Sequence, residues 1–143
     1  PRPIVGNAIP QIGGVGYDGY SSEETKMREE TRKILSLPDL PVYATAVRIP
    51  VHTGHAESVY VETEREANLP AVLEALGTAP GVEVTDDFPT PIEVAGEDGT
   101  YVGRVRVEGR VIQYWCVADN LLKGAATNAV QIAESLVGVH ARA

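Results

Sequence analysis

Hydrophobic and polar positions follow two periods along this chain. From Ser21 to Leu35 the spacing is helical, with a thin apolar stripe of Met27, Ile34 and Leu35. Ser21 and Glu24 make a capping-box pair, and Glu23 and Glu24 suit the positive end of a helix dipole. Beyond Pro38 and Pro41 the period falls to two. Val42 to Ile49 reads as a strand ended by Pro50, with Val42, Ala44, Ala46 and Arg48 on one face and Tyr43, Thr45, Val47 and Ile49 on the other. Glu57 to Glu64 reads as a second strand, with Val59 and Val61 inward. Asn68 caps a helix over Leu69 to Leu76; Pro70 is tolerated in its first turn and Gly77 stops it. Its buried stripe is Leu69, Val72, Leu73 and Leu76. Val82 to Asp86 is a third strand, making a β-α-β unit with the second. Residues 86–99 read as loop. Thr100 to Val107, Glu108-Gly109 and Arg110 to Ala118 read as a hairpin. Asp119 or Asn120 opens a last helix that runs to about Val137 and stops at Gly138. The predicted fold class is α+β: a mixed, largely antiparallel sheet with helices packed on it, ending in a long helix.

The bulk numbers narrow the function. A chain of 143 residues is one ordinary domain in size. Its net charge is −8, with no basic block, which argues against nucleic-acid partners, since that affinity comes from clustered Lys and Arg. No apolar run approaches the ~20 residues that span a bilayer. A single cysteine allows no internal disulfide. The expected setting is cytoplasmic. The chain starts at Pro1 without Met, so a processed terminus or a piece of a longer protein is expected.

Candidate chemistry concentrates in Ala44 to Ser58. Arg48 lies near a strand end, where a guanidinium is rigidly aimed and can grip a carboxylate through two parallel hydrogen bonds. The competing reading is a structural ion pair with one of the 20 acidic residues. His55 follows Gly54 between two strands; imidazole is the usual general base, although a lone loop histidine is commonly just exposed. A His52/His55 pair lacks a third ligand, so no metal is expected. Cys116, inside QYWCVADN, reads as a buried space-filler. Gly14, Gly16 and Gly19 spell GxGxxG, with Asp39 beyond. Pro10 breaks the strand that a dinucleotide loop needs, so a plain loop is expected. Glu23, Lys26, Glu30 and Lys33 share one helix face and, read alone, form a solvated ion-pair ladder.

Taken together, GNAIPQIG, SSEETKMREETRKIL, ATAVRIPVHTGHAES, FPTP, YVGRVRV and VADNLLKGAATNAVQIAE resemble aspartate-semialdehyde dehydrogenase, in its order and with the Arg48-to-His55 spacing kept. The resemblance implies reduction of aspartyl-4-phosphate to L-aspartate 4-semialdehyde with NADPH, a step toward lysine, threonine, methionine and isoleucine. In reverse, a cysteine thiolate adds to the aldehyde, hydride leaves to NADP, and phosphate cleaves the thioester. By resemblance Arg48 holds the substrate α-carboxylate and His55 is the acid/base. Lys26 binds phosphate, Glu23 contacts substrate or orients Lys26, and Asn120 touches NADP. His52 has no role in the family, and Cys116 does not match its nucleophile, which with the nucleotide-binding half would lie upstream of Pro1. The implied layout is a partial substrate-binding and dimerisation domain over 1–118 and, over 119–143, a helix that packs on the absent NADP-binding half. The alternative, of another class, is a stand-alone, non-catalytic oligomerisation or binding module derived from this enzyme. A related acyl-phosphate or acyl-CoA reductase is a third reading. The expected assembly is a homodimer, and the isolated chain is expected to be inactive.

Overall fold

The computed structural model describes residues 2–138. The chain divides into two compact units, Pro1–Pro50 and Val51–Ala143.

The first unit is built around helix α1, Ser22–Leu35. Its start is the predicted capping box. The Glu24 N–H donates to Ser21 Oγ at 3.4 Å, and the Ser21 N–H donates to Glu24 Oε2 at 2.7 Å. It ends with Ser36 in the left-handed region, φ 56°, where the Leu37 N–H reaches back to the Arg32 carbonyl at 2.9 Å. The strand expected over Val42 to Ile49 does not form a ladder. The segment is extended and pairs only at the bridge between Ile9 and Arg48. Its sole partner is a proline-broken segment, and Pro10 has no N–H to extend the pairing. The alternation nevertheless survives. Ala46 is buried and Val42 and Ala44 are half-buried, whereas Tyr43, Thr45, Val47 and Ile49 face solvent. The GxGxxG stretch is loop, closed by hydrogen bonds between Gly16 and Tyr20 and between Gly19 and Gly16.

The second unit holds a four-stranded sheet and two helices. Strand β1 is His55–Glu62, α2 is Leu69–Gly77, β2 is Val82–Val84, β3 is Thr100–Glu108 and β4 is Val111–Ala118. The spatial order is β1-β4-β3-β2, antiparallel except for the parallel β2–β3 pair. The predicted β-α-β unit is therefore split. β1 and β2 run the same way, but the β3–β4 hairpin lies between them. Asn68 caps α2 by accepting from the Ala71 N–H at 2.9 Å, and α2 packs on β2 and β3. Its stripe is only half covered: Val72 and Leu76 are intermediate, and Leu69 and Leu73 are exposed. The hairpin turn falls on Gly109-Arg110, one residue later than expected, with Gly109 at φ 58°.

The last helix departs from its expected start. Asp119 and Asn120 do not begin it. A wide π-type turn, Leu122–Ala126, comes first, and α3 follows over Thr127–Val137 with Gly138 in the left-handed capping position. The Gly124 N–H bonds to the Asp119 carbonyl and the Ala126 N–H to the Leu121 carbonyl, both five residues back. A glycine inside the turn weakens the tighter helical alternative.

Val102 on β3 and Val117 on β4 are buried, as is Val94 in the loop. In the ladder Val102 faces Cys116 and Val117 faces Tyr101, so the two valines project to opposite faces of the sheet. Gly103 admits the 85–89 loop against β3. A Cβ there would lie 2.1 Å from the Asp87 carbonyl oxygen and 2.9 Å from Pro89 Cδ. Trp115, opposite Gly103 in the ladder, donates its indole N–H to the Pro89 carbonyl at 2.8 Å.

Candidate functional site

The first unit carries Glu23, Lys26 and Arg48. Capping fixes the start of α1, and the same Glu24 carboxylate also accepts the Ala46 N–H at 2.9 Å through Oε1. One buried side chain thus ties the first turn of the helix to the extended segment. Lys26 lies two residues after one end of that tie, and Arg48 two residues after the other. The Ser21 N–H, then the Ala46 N–H, then the Ser21 hydroxyl hold the Glu24 carboxyl below its ordinary value. Lys26 Nζ lies 3.4 Å from Glu23 Oε1, both on the outside of the helix. This geometry suits a glutamate that orients a lysine, and equally an exposed ion pair of small energy.

Arg48 is anchored by its backbone, which exchanges two 2.9 Å hydrogen bonds with Ile9. Its side chain is exposed. Among the described residues it pairs with no carboxylate, so the structural ion pair is not formed. A charged, solvated guanidinium on a fixed backbone can bind an incoming carboxylate without first breaking an internal bond.

The second unit carries His55 and Asn120. His55 is not in the loop but is the first residue of β1, paired with Ala118, the last of β4. Gly54 before it has φ 97°. Two residues past Ala118, Asn120 Oδ1 accepts the Gly54 N–H at 3.0 Å. The structure therefore brings the His55 turn and Asn120 together. His55 itself is exposed and accessible, and His52 is exposed in the preceding loop. Cys116 faces Glu57 across the ladder, its thiol 3.9 Å from Oε2. Burial, then the Glu57 carboxylate, push that thiol up to about 12. It is the reverse of an activated nucleophile. Among the described residues no group of three His, Cys, Asp or Glu side chains is placed to hold a metal.

Asp119 was not singled out in the sequence as more than a helix start. It is buried, accepts the Gly96 N–H at 2.9 Å and the Leu121 N–H at 2.8 Å, and is held below its ordinary value by those bonds, that of Gly96 first. An Asp-Asn pair directly after a strand is turn chemistry, and that was the available signal.

Residues 1–123 match the family described as semialdehyde dehydrogenase, dimerisation domain. The chain belongs to this family. Among curated relatives, the aspartate-semialdehyde dehydrogenase of Bacillus subtilis is 48% identical, over 93% of this chain and 41% of its own length. That of Aquifex aeolicus is 49% identical, over 96% of this chain and 43% of its own length. The chain thus spans well under half of these semialdehyde dehydrogenases. Among solved structures, aspartate semialdehyde dehydrogenase II from Vibrio cholerae, complexed with ASA, superposes with a TM-score of 0.87 at 48% identity, covering 92% of this chain and 41% of that one. The mixed sheet and its helices are therefore those of the semialdehyde dehydrogenase family.

Proposed function

We propose that this chain is the substrate-binding and dimerising portion of an NADP-dependent aspartate-semialdehyde dehydrogenase, which interconverts L-aspartate 4-semialdehyde, phosphate and NADP with aspartyl-4-phosphate and NADPH. The observation that carries the proposal is Arg48, a guanidinium on a fixed backbone with no carboxylate partner among the described residues. Arg48 grips the substrate α-carboxylate and sets its orientation. Lys26, aligned by Glu23, holds the phosphate. His55, at the start of β1, takes and returns the proton of the thiol nucleophile on a ring nitrogen. Cys116 does not serve as that thiol, and we assign the nucleophile to a part of the enzyme outside this chain. NADP, when bound, supplies the hydride acceptor. Asn120 fits a contact to it, because Oδ1 faces Gly54 and Nδ2 has no protein partner among the described residues. In the same proposal residues 1–118 form the substrate-binding and dimerisation domain. In the segment expected over 119–143, whose last residues lie outside those described, α3 docks on the NADP-binding half.

Steady-state kinetics of the complete enzyme test the reading. Arg48→Lys replaces a planar fork by a point charge and should raise KM for the semialdehyde about 10- to 100-fold, as expected for a lost charged hydrogen bond. His55→Gln should lower kcat by roughly 10²- to 10⁴-fold with KM little changed. The isolated chain should give no phosphate-dependent NADP reduction. Unchanged kinetics in both variants, or turnover by the isolated chain, would overturn the proposal.

A further inference from the structure

Asn120 is assigned to the cofactor by resemblance, yet its carbonyl end is already engaged. A backbone N–H can only donate, so the 3.0 Å contact with Gly54 requires Oδ1 to face the turn and leaves Nδ2 pointing elsewhere. The turn it holds has little freedom. Gly54 sits at φ 97°, and a Cβ there would lie 3.3 Å from both the Ala118 carbonyl oxygen and Pro91 Cβ. The turn is therefore seated between the end of β4 and the 88–91 loop. That loop is itself pinned at Pro89 by the Trp115 indole.

Asn120 is held just as closely. Ala118 before it pairs with His55. Asp119 is bonded at one oxygen to Gly96 and at the other to Leu121, on the far side of Asn120. A short side chain between two fixed neighbours loses little entropy on reaching across to Gly54. The contact spans 66 positions in sequence and ends on the residue directly before the imidazole.

We infer that Asn120 is a positioning residue for His55: through the Gly54 N–H it sets the angle at which the imidazole leaves the start of β1. This rests on the reading of His55 as the acid/base. It gives Asn120 two separable jobs, a tether through Oδ1 and a cofactor contact through Nδ2. A base displaced by about 1 Å loses on the order of 10² in rate, so the tether acts on kcat, whereas the cofactor contact acts on KM for NADP.

The test compares Asn120→Ala with Asn120→Asp in the complete enzyme. The aspartate keeps an acceptor for Gly54 but has no Nδ2. Three readouts apply: hydrogen–deuterium exchange of the Gly54 amide, the ring Cε1–H resonance of His55 assigned by substitution, and kcat and KM for NADP. In Asn120→Ala, Gly54 should exchange at least about tenfold faster and the His55 resonance should shift and sharpen, with kcat down at least about tenfold. In Asn120→Asp, exchange and resonance should return toward the parent and part of the lost kcat should recover, with KM for NADP still raised. Unchanged exchange and resonance in Asn120→Ala would overturn the inference. So would an effect confined to KM, or a failure of Asn120→Asp to restore the turn. If the parent lacks dehydrogenase activity, the proposed function fails by itself, and Gly54 exchange and the His55 resonance still decide whether Asn120 holds that turn.

Discussion

At the scale of single residues, environment separates side chains that look equally reactive in the sequence. Cys116 and His55 sit at opposite ends of that range. A half-buried thiol pushed up to about 12 leaves only a trace of thiolate at neutral pH, which makes it a poor nucleophile toward carbonyls and alkylating agents. Iodoacetamide at about pH 7.5 should modify Cys116 at least a hundredfold or so more slowly in the folded chain than in denaturant. Mass spectrometry of the alkylated peptide reads this; equal rates would count against the burial described for it. The sequence already marked Cys116 as inert from its apolar neighbours. It did not reveal that Glu57, its cross-strand partner, works in the same direction. Nor did it reveal the Arg48 outcome, because whether a guanidinium finds an internal carboxylate depends on contacts far apart in the chain.

At the scale of elements, local chemistry was legible and long-range pairing was not. The Ser21/Glu24 box, the Asn68 cap and the Gly138 stop are decided within a few residues, and each forms as read. The extended Val42–Ile49 segment shows the other case. Its alternation was visible, but the scarcity of partners was not. The split β-α-β unit is similar, since nothing between Glu62 and Val82 announces that a hairpin will be inserted. Within the first unit, Glu24 joins a local signal to a distant one. Its folded-state value is depressed, so its contribution is complete above the ordinary carboxylate range and disappears as pH falls through the lowered value. Denaturant unfolding from about pH 6 to about pH 3 should show the parent losing stability faster than Glu24→Gln, which has no charge to lose. The variant should start lower, because Ser21 and Ala46 donate to different carboxylate oxygens and the amide puts an NH2 donor in place of one of them. Parallel pH slopes would exclude this role for Glu24.

At the scale of the molecule, the apolar surface is under-used. Among the described residues the buried apolar side chains are Ala46, Val94, Val102 and Val117, while Tyr17, Tyr43, Tyr60, Ile92 and Leu136 are more than half exposed. A face of mostly small residues running through the π-type turn and α3, Ala125, Ala126, Ala129, Ile132, Ala133 and Leu136, is likewise exposed. Its sequence pattern was readable, and what covers it was not, because periodicity reports a face and not its partner. Membership of a dimerisation-domain family adds a direct expectation. Sedimentation equilibrium across the micromolar range should show two copies associating; a single-copy mass throughout would argue against self-assembly through this segment.

The strand order β1-β4-β3-β2 also bears on how the protein is made. A ribosome delivers the two outer strands first, and neither has a neighbour until the hairpin that separates them has emerged. β2 must therefore wait for β3, and β1 for β4, the last strand to leave the exit tunnel, with their ladder groups satisfied by water until then. Such non-local pairing is intrinsically slow and leaves strand edges open to wrong partners in the meantime. The early helices, by contrast, can form as they appear. The first strand made, β1, is thus the one whose only neighbour, β4, is made last.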